Sequence, residues 1–206
     1  MNSLDLSWRV LINQGISQLP VSLEKICDTM GITVRSYLQA VEVIHVLGME
    51  RVCRVSDGLS FAWNRELYIL YNSDRPSRRI RFTIAHELGH CLLHHGKAVC
   101  SKPLLRVNVC QDARALERQA NTFAADLLSP ACVLWGLGIT TAGEIASHCD
   151  ISMEAGKIRL DRLQKLIKRD AMLRQTRGQG CLLRSPLEQR VYTQFLPYIE
   201  AMRVNR

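Results

Sequence analysis

The sequence has no apolar run near the roughly 18–20 residues that a membrane-spanning helix needs, and it holds no internal repeat or low-complexity tract. Its opening, MNSLDLSWRV, puts Asp5 where an export signal would carry basic residues and then an unbroken apolar stretch. The expectation is a cytoplasmic protein with no membrane contact. Twelve Gly and six Pro are too few for a fibrous or linker-like chain. No C-x-x-C pair occurs among the eight cysteines, which removes the zinc-ribbon, zinc-finger and thioredoxin readings. Their irregular spacing and the lack of an export signal also argue against a disulfide framework, so reduced Cys serving as small apolar filler is the expectation.

What remains is an ordinary globular composition. Apolar residues make up 47% and charged residues 22% of 206, enough for one domain, with or without a small appendage, to bury a core unaided. Lys and Arg number 27 against 19 Asp and Glu, a net charge of +8. This balance favours contact with nucleic acid or an acidic partner without demonstrating it. The densest basic stretches, 75–81 and 157–177, read equally well as solvated helix faces.

Periodicity gives a mostly helical chain. Helices are expected at 4–16, 22–30 (Ser22 as N-cap, Gly31 as C-cap) and 38–47, with 32–37 either a strand or a helix start. LSFAWN and ELYILYN, within 59–72, are β-rich and read as a hairpin or two neighbouring strands. Helices follow at 79–95 (closed by Gly96), 112–128, 140–149 and 152–168. A flexible polar link at 175–180 then leads to a last helix at 186–202. The class is α+β. Three segments are expected: 1–58, helical; 59–168, the core; and 169–206, a linker and a C-terminal helix. Residues 23–40 and 144–163 also have helix-turn-helix texture, the second carrying Lys157, Arg159 and Arg162, although ordinary helix pairs make the same pattern.

The chemistry lies in RFTIAHELGH. His86 and His90 are four residues apart and stack on one helix face, so both imidazoles can reach a single metal. Glu87 lies about 100° round the helix, badly placed as a ligand but able to reach a water on the open side of the ion and take its proton. Ile84, Leu88, Cys91 and Leu92 project away from His86 as the expected core stripe. The metzincin continuation fails, because position 93 is Leu and position 96 is Gly. The other common solution is a Glu from a later helix. Glu117 in LERQANTFAADLLSP is the candidate, with Ala113, Ala120, Asn121 and Ala124 on its own face allowing two helices to approach closely and Leu116, Phe123 and Leu127 forming the adjacent stripe. Asn121 either orients a metal ligand from behind or simply packs. Arg79 and Arg81 either hold a substrate backbone or flank a helix start. His94 and His95 read as structural or solvent-facing, and His45 and His148 as incidental.

Taken together, RFTIAHELGH, LERQANTFAADLLSP, the 27-residue interval from His90 to Glu117 and the HCDISMEAGKIRLDRL segment resemble the ImmA/IrrE family of zinc metallopeptidases, over residues 19–166. The resemblance implies a zincin-like domain with a small N-terminal β-sheet, to which a C-terminal helical extension is added. It implies Zn²⁺ held by His86, His90 and Glu117, with Glu87 as general base. It also implies a protein substrate, a helix-turn-helix repressor of a phage, mobile element or stress regulon. Two departures stand out: 31–59 is longer and more helical than the family's strand and turn, and Ser129 replaces the more frequent Met. The competing expectation is a DNA-associated regulator or antitoxin-like module that retains the metallopeptidase fold, with DNA contact secondary to proteolysis in the leading reading.

Overall fold

In chain order the elements are α1 (Ser3–Asn13), α2 (Leu23–Thr29), β1 (Ile32–Ser36), a 3₁₀ turn (Leu38–Ala40), α3 (Val41–Leu47), α4 (Glu50–Val55), β2 (Gly58–Trp63), β3 (Glu66–Tyr71), α5 (Ser77–Leu93), α6 (Ala113–Leu128), α7 (Ala131–Gly136), α8 (Ala142–Cys149), α9 (Met153–Arg177) and α10 (Pro186–Val204). The structure, a computed structural model, describes residues 3–93 and 113–204. The readings placed on His94, His95, Gly96, Cys100, Cys110 and Asp112 lie outside the described residues, as does the side chain of Ala113. The fold is α+β, mostly helical with one small sheet. No described helix is long and apolar enough to cross a membrane.

The chain divides into two compact units, residues 23–124 and residues 1–22 with 125–206. This division follows contacts in space, and its boundaries differ from the expected segments 1–58, 59–168 and 169–206.

In the unit 23–124 the strand order is β1-β3-β2, with β1 parallel and β2 antiparallel to β3. The expected hairpin is present. Asn64 and Arg65 form its two-residue turn with φ of 50° and 67°, the left-handed pair that matches strand twist and that Asn tolerates well. Residues 32–36 are a strand, so 23–40 is a helix-turn-strand and the first helix-turn-helix reading is corrected. The β-branched run Ile32, Thr33, Val34 favours an extended chain once Gly31, at φ +66°, has ended α2.

Alternation along β2 and β3 separates two faces. Phe61 and Leu70 belong to a core with Ala40, Ile44 and Met49 from the 3₁₀ turn, α3 and the start of α4, joined there by Leu59, Trp63 and Tyr68. Phe61 and Tyr68 stack with ring centroids 5.3 Å apart. The register pairs Gly58 with Tyr71 and Ser60 with Ile69, placing these residues on the opposite face, toward α5. At Gly58 an added Cβ would overlap Thr83 Cγ2 of α5, so strand and helix approach at a point where only glycine fits.

The unit of 1–22 and 125–206 is helical. Gln194 of α10 donates from Nε2 to the carbonyls of Leu11 (2.9 Å) and Ile16 (2.6 Å), satisfying backbone acceptors at the end of α1. Thr141 and Glu144 form a reciprocal capping box at the start of α8. Asp150 turns the chain at φ 50°, and Ser152 caps α9 by accepting from Ala155 N at 3.1 Å. Helix α9 buries one stripe, Gly156, Arg159, Leu163 and Asp170. It continues to Arg177, beyond the expected end near 168.

The segment after α9 was expected to be a flexible link, and this is corrected in part. Residues 175–177 are helical, and the Asp170 carboxylate accepts from the backbone N–H groups of Cys181 (2.6 Å) and Leu182 (2.7 Å) and from Arg174 Nε (2.7 Å). Partial burial alone would raise the Asp170 pKa, but these donors hold it below the usual carboxylate range.

No disulfide forms among the described cysteines. Burial pushes the Cys27 and Cys132 thiols up to about 12, the behaviour of apolar filler.

Candidate metal centre

The site lies within residues 23–124, and its construction begins with helix approach. Gly89 sits between the two histidines of α5. A Cβ there would lie 2.9 Å from Phe123 Cδ1 and 3.3 Å from Ala120 Cα. Both are fully buried residues of α6, so the small pair Gly89 and Ala120 sets how closely the helices come together. Gly89→Val is therefore expected to push α6 outward. Overpacking of this kind costs about 1–3 kcal/mol, and affinity for a divalent metal should fall with stability. Thermal unfolding with and without added divalent cation measures both, and an unchanged metal affinity would count against this account of the helix contact.

Across that contact three donor groups converge. His86 Nε2 and His90 Nε2 are 3.0 Å apart. Glu117 reaches both, with Oε2 3.3 Å from His86 Nε2 and Oε1 3.3 Å from His90 Nε2. All three ligand atoms fall within 4.8 Å of one another. A tetrahedral ion with bonds of about 2.0–2.1 Å has ligand-to-ligand edges of about 3.3 Å, so the observed separations suit one small divalent cation. The donor set, two imidazoles and one carboxylate, suits zinc. The His90 side chain is 1% exposed, His86 17% and Glu117 48%. The centre thus has a buried floor and opens to solvent on the Glu117 side.

The imidazole tautomer is set from behind. His86 Nδ1 lies 3.0 Å from Asn121 Oδ1. An amide oxygen can only accept, so Nδ1 carries the proton and the Nε2 lone pair faces the other two ligands.

Glu87 is 7% exposed and accepts a 2.7 Å hydrogen bond at Oε2 from Ser60 Oγ of β2. Sequence reasoning missed Ser60, since nothing in its β-rich neighbourhood distinguishes it from a solvent-facing strand residue. The expectation that the functional residues stand clear of the apolar side of α5 needs correction. Leu88 and Leu92 are buried as expected, but so are Thr83, Ala85, Glu87 and His90. Helix α5 is enclosed on several sides, against the sheet and against α6 at Gly89.

The remaining candidates sit elsewhere. Arg79 bonds Asp57 through Nε at 2.6 Å and also through Nη2, while Arg75 Nε bonds the other Asp57 oxygen at 2.7 Å. These contacts tie the start of α5 to the residue preceding β2. Burial alone would raise the Asp57 pKa, but the two guanidinium groups lower it below its ordinary range. His45 pairs with exposed Glu50 at 3.0 Å, and His148 Nδ1 lies 3.2 Å from the Tyr198 hydroxyl. Of the basic residues in the second helix-turn-helix-like segment, Arg159 is buried against Asp126 at 2.9 Å and Lys157 lies 3.7 Å from Glu154. Arg162 is exposed.

Comparison with known families places the chain as follows. The family model described as Peptidase_M78, IrrE N-terminal-like domain, matches residues 50–161, more than half of the chain and the whole of the constellation above. No curated protein matches the chain.

Proposed function

Because this chain belongs to the IrrE N-terminal-like family of metallopeptidases, we propose that it is a zinc-dependent, site-specific endopeptidase acting in the cytoplasm. Its substrate in this reading is a helix-turn-helix transcriptional repressor of a phage, mobile element or stress regulon, with any DNA contact secondary. One observation carries the enzymatic reading: His86 Nε2, His90 Nε2 and the Glu117 carboxylate converge at 3.0–3.3 Å on the open side of a buried helix.

His86, His90 and Glu117 would hold the ion, and Asn121 would keep the His86 ring turned toward it. When bound, zinc supplies a Lewis acid that acidifies water and polarises a peptide carbonyl. Glu87 takes the proton of the attacking water as the water oxygen bonds to the carbonyl carbon. The same carboxyl group then delivers that proton to the amine nitrogen as the C–N bond breaks. Burial keeps bulk water away from this carboxylate, so its proton goes to the leaving group.

Metal analysis tests the centre. Protein purified without chelators is expected to carry about one zinc ion per chain, and His86→Ala is expected to lose it. A wild-type chain free of divalent metal under those conditions removes the basis of the reading. The substrate is tested by incubating the zinc-loaded protein with a small helix-turn-helix repressor encoded beside it, expecting one discrete cut that a chelator abolishes.

A further inference from the structure

We propose that Ser60 is a positioning residue for Glu87, an assignment that rests on the peptidase reading above. A carboxylate can only accept, so the 2.7 Å contact is a hydrogen bond donated by the Ser60 hydroxyl to Oε2. A bond to an ionised group is stronger than a neutral one, and more so where water is excluded. Glu87, at 7% exposure, is such a group.

The backbone holds the donor in place. Ser60 lies opposite Ile69 in the β2–β3 register, on the face toward α5. Two residues earlier, Gly58 meets Thr83 so closely that no Cβ fits. A slip of β2 along α5 would therefore drive a Cβ into the Thr83 side chain, and a slip of one residue in register would turn Ser60 to the other face.

The bond fixes the rotation of the Glu87 carboxylate, which in the peptidase reading carries the proton from the attacking water to the leaving nitrogen. Ser60 keeps its own proton throughout and forms no bond to substrate.

Acetohydroxamate provides a test that needs no substrate. It chelates zinc, and its hydroxyl proton passes to a carboxylate beside the metal, so its affinity reports how that carboxylate is held. Calorimetric titration of the zinc-loaded full chain would compare wild type, Ser60→Ala, Ser60→Thr, Glu87→Gln and the Ser60→Ala/Glu87→Gln double variant. Ser60→Ala is expected to weaken binding about ten-fold, and Ser60→Thr, which keeps the hydroxyl, to stay within about two-fold of wild type. In the Glu87→Gln background Ser60→Ala should have little further effect, with zinc content the same throughout. Should Ser60→Ala not fold, Ser60→Cys takes its place as a weaker donor of similar size.

Equal affinity in wild type and Ser60→Ala overturns the assignment. So does an undiminished loss in the Glu87→Gln background, because the effect would then not act through the carboxylate. A wild-type chain that holds no zinc, or holds zinc without binding acetohydroxamate, instead brings down the peptidase reading and the Ser60 assignment with it.

Discussion

On the function proposed above, Glu87→Gln is expected to leave the protein folded and metal-loaded while lowering proteolysis by about 10²–10⁴-fold, the usual contribution of a positioned general base. The substitution is nearly isosteric, and its amide oxygen can still accept from Ser60, 2.7 Å away in the wild type. The buried site therefore keeps its shape and its contact with Ser60. What it loses is basicity, since an amide cannot take the proton of the attacking water. The contrast with His86→Ala is the useful part. That variant removes a ligand and should lose metal and cleavage together, whereas Glu87→Gln should separate them. Metal content and conversion of the intact protein substrate, measured side by side on both variants, provide the check. Cleavage by Glu87→Gln at the wild-type rate would falsify the role given to this carboxylate.

Asp126→Ala is expected to destabilise the protein by about 3–5 kcal/mol, the range for stripping a buried charge of its partner. Arg159 is 7% exposed and Asp126 8%, with Nη1 and Oδ1 2.9 Å apart. Two other nitrogens of that guanidinium, Nε and Nη2, make no hydrogen bond among the described residues, so the carboxylate carries most of the compensation for burying the charge. Measured against a typical total stability of about 5–15 kcal/mol, the loss is large and should appear directly in the urea midpoint. Removing both charges at once is a different matter. Asp126→Leu with Arg159→Met fills similar space without the desolvation cost, and should lie close to wild type or above it. A double variant as unstable as the single one would mean that packing, rather than the unpaired charge, sets the effect.

The local features of this protein were legible along the chain because they depend on spacing within one element. An i, i+4 pair of imidazoles is set by the helical repeat alone, and so is a carboxylate about 100° away from the first of them. Small residues around Glu117 foretold a close helix contact, and the β-rich run at 59–72 foretold the hairpin. Gly31 marked a helix end for the same local reason. The reading weakened wherever a partner came from another element. The β-branched residues at 32–36 fitted two structures, and pairing with β3 decided for the strand. Residues 175–180 looked like a loose link, but 175–177 continue α9, and Asp170 of that helix captures the N–H groups of Cys181 and Leu182 just beyond.

The sequence by itself determined which side chains could ligate a metal or move a proton and on which helices they ride, since helical periodicity is a property of consecutive residues. Tertiary structure alone decided that Asn121 stands behind His86, that Ser60 meets Glu87 and that Arg79 and Arg159 are each committed to an aspartate. Those pairings depend on strand register and on how closely one backbone can approach another. Both are settled by packing between segments that lie far apart along the chain.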